Sequence, residues 1–275
     1  MKNKAKVVLI TGASSGIGHA IAQTLMEQGY KVYGTSRKIN YENRITSKNG
    51  SGFIQMIPLD ICSNESVKKA VDYILQNEVS IDILINNAGS GIAGSVEDSS
   101  IEESLFQFDT NFFGALRMCQ AVLPKMRQQK EGLIINISSV AALISVPYQS
   151  MYSASKSALE AITEALRIEV RPFNIKVALV EPGDTKTGFT NKRQYVKSAL
   201  NSAYTETFMK SIKTMEKDEQ TGPPPTKVVD AVLKIINSKN PPIRIVVGFS
   251  YKTFVFLKRL LPSKFVEFLV SKVYG

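Results

Sequence analysis

Val7-Val8-Leu9-Ile10-Thr11-Gly12-Ala13-Ser14-Ser15-Gly16-Ile17-Gly18 is the stretch on which the reading of this chain turns. The apolar run Val7 to Ile10 does not alternate with polar residues, so it reads as a strand covered on both faces, as in a parallel sheet. The glycines that follow predict a tight loop opening into a helix. Gly12 permits the turn, Gly16 permits close approach of another backbone or a ligand, and Gly18 lets the helix pack on the sheet. With Ser14, Ser15 and Ile17 they form a loop whose N–H groups and helix N-terminus can meet a pyrophosphate. The spacing is G-x-x-x-G-x-G, not the G-x-G-x-x-G of the general dinucleotide fingerprint.

The same alternation continues outward. Continuous apolar runs predict strands over 7–10, 31–36, 53–59, 81–85, 133–137, 176–180 and 243–247, with helical patterns over 19–28, 63–77, 101–129, 149–171 and 226–237. Strand-helix alternation predicts right-handed crossovers and an α/β fold, a Rossmann-like doubly wound parallel sheet of about seven strands. No linker divides the chain, so residues 1–275 read as a single domain with a C-terminal helical extension over 252–275. The polar stretch 188–225, ending in Gly222-Pro223-Pro224-Pro225, reads as a partly helical lid over the sheet.

Composition excludes several classes. At 44% hydrophobic and 21% charged residues the chain is an ordinary globular protein, and no apolar run reaches the roughly 20 residues needed to span a bilayer. The basic start Met1-Lys2-Asn3-Lys4-Ala5-Lys6 superficially resembles a signal peptide. The apolar stretch after it breaks at Gly12, which favours a first strand. Two cysteines, Cys62 and Cys119, without metal-ligand spacing point to reduced thiols and a cytoplasmic setting. The lone histidine, His19, reads as a helix-surface residue, and no metal site is expected. The net charge of +10 comes from scattered basic residues and carries no nucleic-acid motif.

The end of the second strand bears on which dinucleotide is bound. An acidic side chain there would hold a ribose 2′-hydroxyl and repel a 2′-phosphate. The chain has Thr35-Ser36-Arg37-Lys38 instead. Ser36 can donate to a phosphate, Arg37 can pair with it through a planar fork, and Lys38 adds positive field. NADP(H) is therefore favoured over NAD(H).

Tyr152 and Lys156 are four residues apart on a predicted helix and project from one face. A free phenol has a pKa near ~10, and an adjacent ammonium is expected to bring it toward neutrality. Ser139 ends Ile135-Asn136-Ile137-Ser138-Ser139, at the sheet edge where ligands bind, with Ser138 as its rival.

With these motifs in place the chain resembles the short-chain dehydrogenase/reductase superfamily over almost its whole length. Its 17β-hydroxysteroid dehydrogenase-like branch is suspected from the extended C-terminus. The resemblance implies that Ser139, thirteen residues before Tyr152, polarises the substrate oxygen. It also implies that Lys156 bonds the nicotinamide ribose and that Asn111 is a fourth catalytic residue holding a water near Lys156. It further places Asp60 at the adenine with Ile61 supplying a backbone contact, and the backbone at Asn87 and Ala88 beside the cofactor ribose. Pro182, Gly183, Thr185 and Thr187 fall beside the nicotinamide. The implied activity is hydride transfer between NADP(H) and a ketone or secondary alcohol, with Tyr152 moving the proton. A catalytically silent NADP(H)-sensing protein is the alternative.

Gly91, Ile92, Ala93, Leu143, Ile144, Val146, Tyr148 and Phe189 are expected around the substrate, predicting a small hydrophobic carbonyl or alcohol, whether steroid-, retinoid- or lipid-like. Apolar faces over 108–118 and 158–166 predict a homo-oligomer, dimer or tetramer. The tail mixes Phe254, Phe256, Leu257, Leu260, Leu261, Phe265, Phe268, Leu269 and Val273 with Lys252, Lys258, Arg259, Lys264 and Lys272. Such an amphipathic pattern fits peripheral contact with a membrane, packing on the parent domain, or a second subunit.

Overall fold

The structure is a computed structural model that describes residues 5–41, 43–48 and 50–275. Of the basic N-terminal run, Met1 to Lys4 lie outside the described residues. Strands β1 (Val7–Ile10), β2 (Lys31–Ser36), β4 (Phe53–Pro58), β5 (Ile83–Asn86), β7 (Gly132–Ile137), β8 (Ile175–Pro182) and β10 (Arg244–Val247) are the expected parallel set. A two-residue strand, β3 (Ile45–Thr46), adds an antiparallel edge on β4, giving the order β10-β8-β7-β5-β1-β2-β4-β3. It is too short and too exposed to leave an apolar run in the sequence.

The chain passes from β1 to β2 on one side and reaches β5 on the other. This reversal opens a crevice outside the carboxyl ends of β1 and β5, where such sheets bind ligands. Successive residues of β1 bury opposite faces. Val7 and Leu9 pack in one core with Ile74 of helix α2 (Asn64–Asn77) and with Met118 and Val122 of α4 (Gly114–Gln129). Val8 and Ile10 pack in the other with Ile21 and Leu25 of α1 (Gly16–Glu27) and Val228 and Val232 of α7 (Thr226–Ile236). Each such side chain, removed from water, contributes about 1.5–3 kcal/mol. Two-sided burial is why these strands read as unbroken apolar runs.

The helical pattern over 101–129 is not one helix. Ser100 and Glu103 form a reciprocal cap that starts α3 (Ile101–Phe108), and a wide π-type turn over Asp109–Phe113 precedes α4. Such turns re-aim a side chain within a helix, and this one carries Asn111. Met118, expected on a subunit-pairing face, is fully buried in the protein's own core.

Two further layers cover the carboxyl edge. After β8, the stretch over 188–225 forms a short turn (Thr190–Lys192), strand β9 (Gln194–Tyr195) paired with β6 (Ile92–Ala93), and helix α6 (Thr205–Thr221). Phe208, Ile212 and Met215 pack with Ile92, Val196 and Ala199 in a core of their own. The C-terminal extension forms α8 (Phe249–Lys258) and α9 (Ser263–Tyr274). No helix among the described residues is long and apolar enough to cross a membrane. His19 is exposed on α1, and both cysteines are free thiols.

Candidate active site

A crevice of about 690 Å³ lies along the carboxyl edge of the sheet. At its phosphate end Gly12 and Gly16 adopt φ of +68° and +59°, a conformation that disfavours side chains. A Cβ on Gly12 would meet Ala88 Cα at 2.9 Å, and one on Gly18 would meet Asn87 Nδ2 at 2.4 Å and Gly12 O at 2.5 Å. The loop is tied to the end of β5: Asn87 Nδ2 donates to the Thr11 and Gly12 carbonyls at 3.0 and 3.1 Å. The N–H groups of Asn87 and Ala88 each donate to Thr11 Oγ1 at 3.0 Å.

The other expected cofactor positions line the same crevice. Ser14, Ser15, Gly16 and Ile17 lie at the N-terminus of α1, Ser36 and Arg37 at the end of β2, and Asp60 and Ile61 after β4. Asn87 and Ala88 follow β5, while Pro182, Gly183, Thr185 and Thr187 close or follow β8. Gly18 is buried beneath the loop. A dinucleotide fits these residues. The loop leaves no Cβ toward the phosphates, a Cβ on Gly16 would close to 3.5 Å on Thr187, and no carboxylate ends β2.

At the other end, α5 (Ser150–Glu169) presents Tyr152 and Lys156 to the crevice. Ser139 stands at the end of β7, where its Oγ accepts from Ala141 N at 3.1 Å and its hydroxyl lies near enough to the Tyr152 phenol to favour its ionised form. Ser138, the rival, is buried and donates to Glu160 Oε1 at 2.8 Å. The backbone alternation at the strand end separates the two hydroxyls.

The ionisation of the pair differs from the expectation drawn from spacing. Burial pushes the Tyr152 phenol up to about 12, opposed by the neighbouring Ser139 hydroxyl. Burial pulls Lys156 down to about 8, opposed by the charge of Glu160. Lys156 Nζ lies 5.9 Å from the Tyr152 ring centre and donates to the Ile137 carbonyl at 2.8 Å. Helical spacing aligns the two side chains, but burial dominates both groups, so the ammonium does not hold the phenol near neutrality.

Asn111 lies behind this pair and does not line the crevice. Ser90 N donates to its Oδ1 at 2.9 Å, and its Nδ2 donates to Ser90 O at 3.0 Å and Ser155 Oγ at 3.1 Å. Its amide therefore fixes the loop after β5 against α5. Gly89 fits between Asn111 and Lys156, because a Cβ there would lie 3.3 Å from Asn111 Oδ1 and 3.7 Å from Lys156 Nζ.

The apolar end of the crevice is smaller than its sequence-drawn outline. Gly91, Ile144, Val146 and Phe189 line it, with the Phe189 ring 5.9 Å from that of Tyr152. Ile92 and Ala93 are core residues beneath α6, Leu143 packs behind Ile144, and Tyr148 bonds Thr207 and packs on Phe208. Their hydrophobicity reflects packing.

Several neighbours were not evident from spacing. Lys192 reaches across the crevice and donates to Ser15 Oγ at 3.0 Å. Glu219 of α6 accepts from Thr190 at 2.6 Å and pairs with buried Arg193. Tyr251 of α8 donates to Asp184, and both line the crevice together with Tyr274 of α9. Behind Lys156, Arg244 lies among Glu160, Glu164 and Glu181. Its contact with the fully buried Glu181 is a charge contact without hydrogen-bond geometry. Burial and the charge of Glu160 push Glu181 up to about 7. Glu160 could have been noticed one turn after Lys156, whereas the others meet only through folding.

Residues 6–197 match the family described as short chain dehydrogenase. A 3-ketodihydrosphingosine reductase of Bacteroides thetaiotaomicron is 45% identical over 272 residues, covering 98% of each chain. Retinol dehydrogenase 8 of Bos taurus is 35% identical, over 96% of this chain and 88% of its own. Among solved structures, a short-chain dehydrogenase from Streptomyces avermitilis superimposes with a TM-score of 0.80 at 31% identity, over 94% of both chains. Sequence and fold agree over nearly the full length, and the chain belongs to the short-chain dehydrogenases, oxidoreductases that use a nicotinamide dinucleotide.

Proposed function

We propose that this chain is an NADPH-dependent reductase of a ketone carried on a long, hydrophobic substrate. The observation that carries the reading is the convergence of Ser139 and Tyr152 on an apolar crevice continuous with the basic rim at Arg37 and Lys38. The glycine loop, Asn87, Ala88 and the loop after β8 would hold the dinucleotide. Arg37, Ser36 and Lys38 would take its 2′-phosphate, and Lys192 would add a cation beside the pyrophosphate loop. When bound, the cofactor supplies a hydride. Ser139 would donate to the substrate oxygen and hold it against Tyr152, and Tyr152 would give its proton to that oxygen as negative charge develops. Burial raises the phenol, so Tyr152 carries the proton that this step needs. Lys156 would orient the ribose, and Asn111 would keep the loop after β5 in place beside it. Phe189 and the layers over the crevice would exclude water.

Two relatives are named for hydrophobic molecules, a ketodihydrosphingosine and retinol, and this supports a lipid-like substrate body. The test follows loss of NADPH absorbance, and separately of NADH, against a panel of long-chain and cyclic ketones. Turnover should prefer NADPH and fall at least about a hundredfold in Tyr152→Phe, the scale of a lost general acid. Turnover that survives the substitution would overturn the role given to Tyr152. Tight NADPH binding with no turnover on any ketone would favour a sensing protein.

A further inference from the structure

The structure divides each C-terminal helix into two faces. Tyr251, Phe254 and Val255 of α8 face inward, as do Val266, Val270 and Tyr274 of α9. Tyr251, Phe254 and Tyr274 line the crevice, and Val255 and Val270 share a cluster with Val140 and Ile144. The inner faces are therefore a wall of the reaction crevice, held there partly by the Tyr251–Asp184 hydrogen bond.

The outer faces carry large apolar side chains into water. On α8 Phe249 is 86% and Phe256 61% exposed, Leu260 is 67% exposed in the turn that follows, and Phe265, Phe268 and Val273 are exposed on α9. Interleaved with them between 252 and 275 are five basic residues, Lys252, Lys258, Arg259, Lys264 and Lys272, against one acidic residue, Glu267. Lys272 Nζ sits 5.1 Å from the centre of the Phe268 ring. A concentration of exposed aromatics on one short segment marks a contact surface. Lysine is depleted from the centre of protein–protein interfaces, whereas apolar residues mixed with cations suit the headgroup boundary of an anionic bilayer.

We infer that the outer face of α8 and α9 docks on an anionic lipid surface, and that the hydrophobic substrate passes from the bilayer along these helices into the crevice behind them. The docking rests on the two helices alone, while delivery rests on the ketone-reductase reading. Because the same two short helices form both the docking face and the crevice wall, a bound lipid surface lies one helix thickness from the site.

The test is co-sedimentation of the full chain with phosphatidylcholine vesicles, with and without phosphatidylglycerol. Two variants are compared, Phe249→Ser/Phe256→Ser/Leu260→Ser and Lys252→Gln/Lys264→Gln/Lys272→Gln. Binding should require phosphatidylglycerol and weaken about a hundredfold in the lysine variant, at roughly fivefold for each cation removed. The apolar variant should lose binding while retaining NADPH affinity by fluorescence and its melting temperature. Absence of partitioning into either vesicle would overturn the docking. So would a dimer, seen by light scattering, that the apolar variant dissociates, because a second copy would then cover this face. For delivery, the apolar variant should reduce a short soluble ketone at the unsubstituted rate and a vesicle-borne ketone more slowly. Equal rates on the vesicle-borne ketone would overturn delivery. Partitioning without turnover on any ketone would refute the reductase reading and leave the docking standing.

Discussion

Arg37→Ala isolates the contact on which the cofactor proposal depends. The residue follows Ser36, the last residue of β2, and the strand is clamped to the glycine loop by the Ala13 N–H donating to Thr35 O at 3.0 Å. The rim is thus fixed relative to the phosphate loop, and the substitution removes a side chain without moving the backbone. A hydrogen bond to a charged group contributes about 1.5–3 kcal/mol, and Arg37 is exposed, so the lower end applies. At 1.4 kcal/mol per decade this is about a tenfold rise in the NADPH dissociation constant. NADH, which lacks the 2′-phosphate, should bind within about twofold of its original affinity, because exposed charges act weakly beyond a Debye length of ~10 Å. The assay is titration of reduced-nicotinamide fluorescence for both cofactors at low and moderate salt. The NADPH defect should shrink as salt rises, since screening weakens the interaction being removed. Equal weakening of both cofactors would refute the reasoning by placing Arg37 on a feature they share. No change in either would put the side chain in solvent.

Lys192→Met should weaken NADPH and NADH by the same factor, about threefold to fivefold for an exposed cation, because its contact is with the shared phosphate loop at Ser15. A defect confined to NADPH in the same titration would assign Lys192 to the 2′-phosphate instead. Gly18→Ala forces a methyl group against the Gly12 carbonyl and Asn87, and should cost about 1–3 kcal/mol of stability together with dinucleotide affinity. Calorimetry with and without cofactor checks it, and an unchanged melting temperature would show that the loop yields freely. Glu181 is raised in the folded state from 4.5 to about 7, so the folded protein binds more protons across that window and stability falls as pH rises through it. Glu181→Gln should remove about 3 kcal/mol of this pH dependence, raising the melting temperature more at pH 8 than at ~pH 5. An equal change at both values would disprove the assignment.

Much of the architecture was legible because its signals are local. The seven parallel strands could be read from unbroken apolar runs, since burial on both faces removes the polar alternation. The glycine loop and the Tyr152–Lys156 pair could be read because tight turns and helical periods impose short, fixed spacings. The π-type turn at Asp109–Phe113 was hidden, since its residues continue a helical pattern and the wide turn accompanies the bonds Asn111 makes to Ser90 and Ser155. Ile92, Ala93 and Tyr148 pointed to a substrate wall because apolar composition does not distinguish a pocket lining from the core beneath α6.

By itself, then, the sequence determined the α/β order, the dinucleotide loop and the presence of a phenol, an ammonium and a hydroxyl at workable spacing. These depend on bonds and periods within a few residues. Only the tertiary structure decided that burial raises Tyr152 and lowers Lys156, that Lys192 reaches a serine 177 residues away, and which faces of α8 and α9 turn from the crevice to water. Desolvation and contact across space depend on what the rest of the chain removes from water, and no window of sequence contains that information.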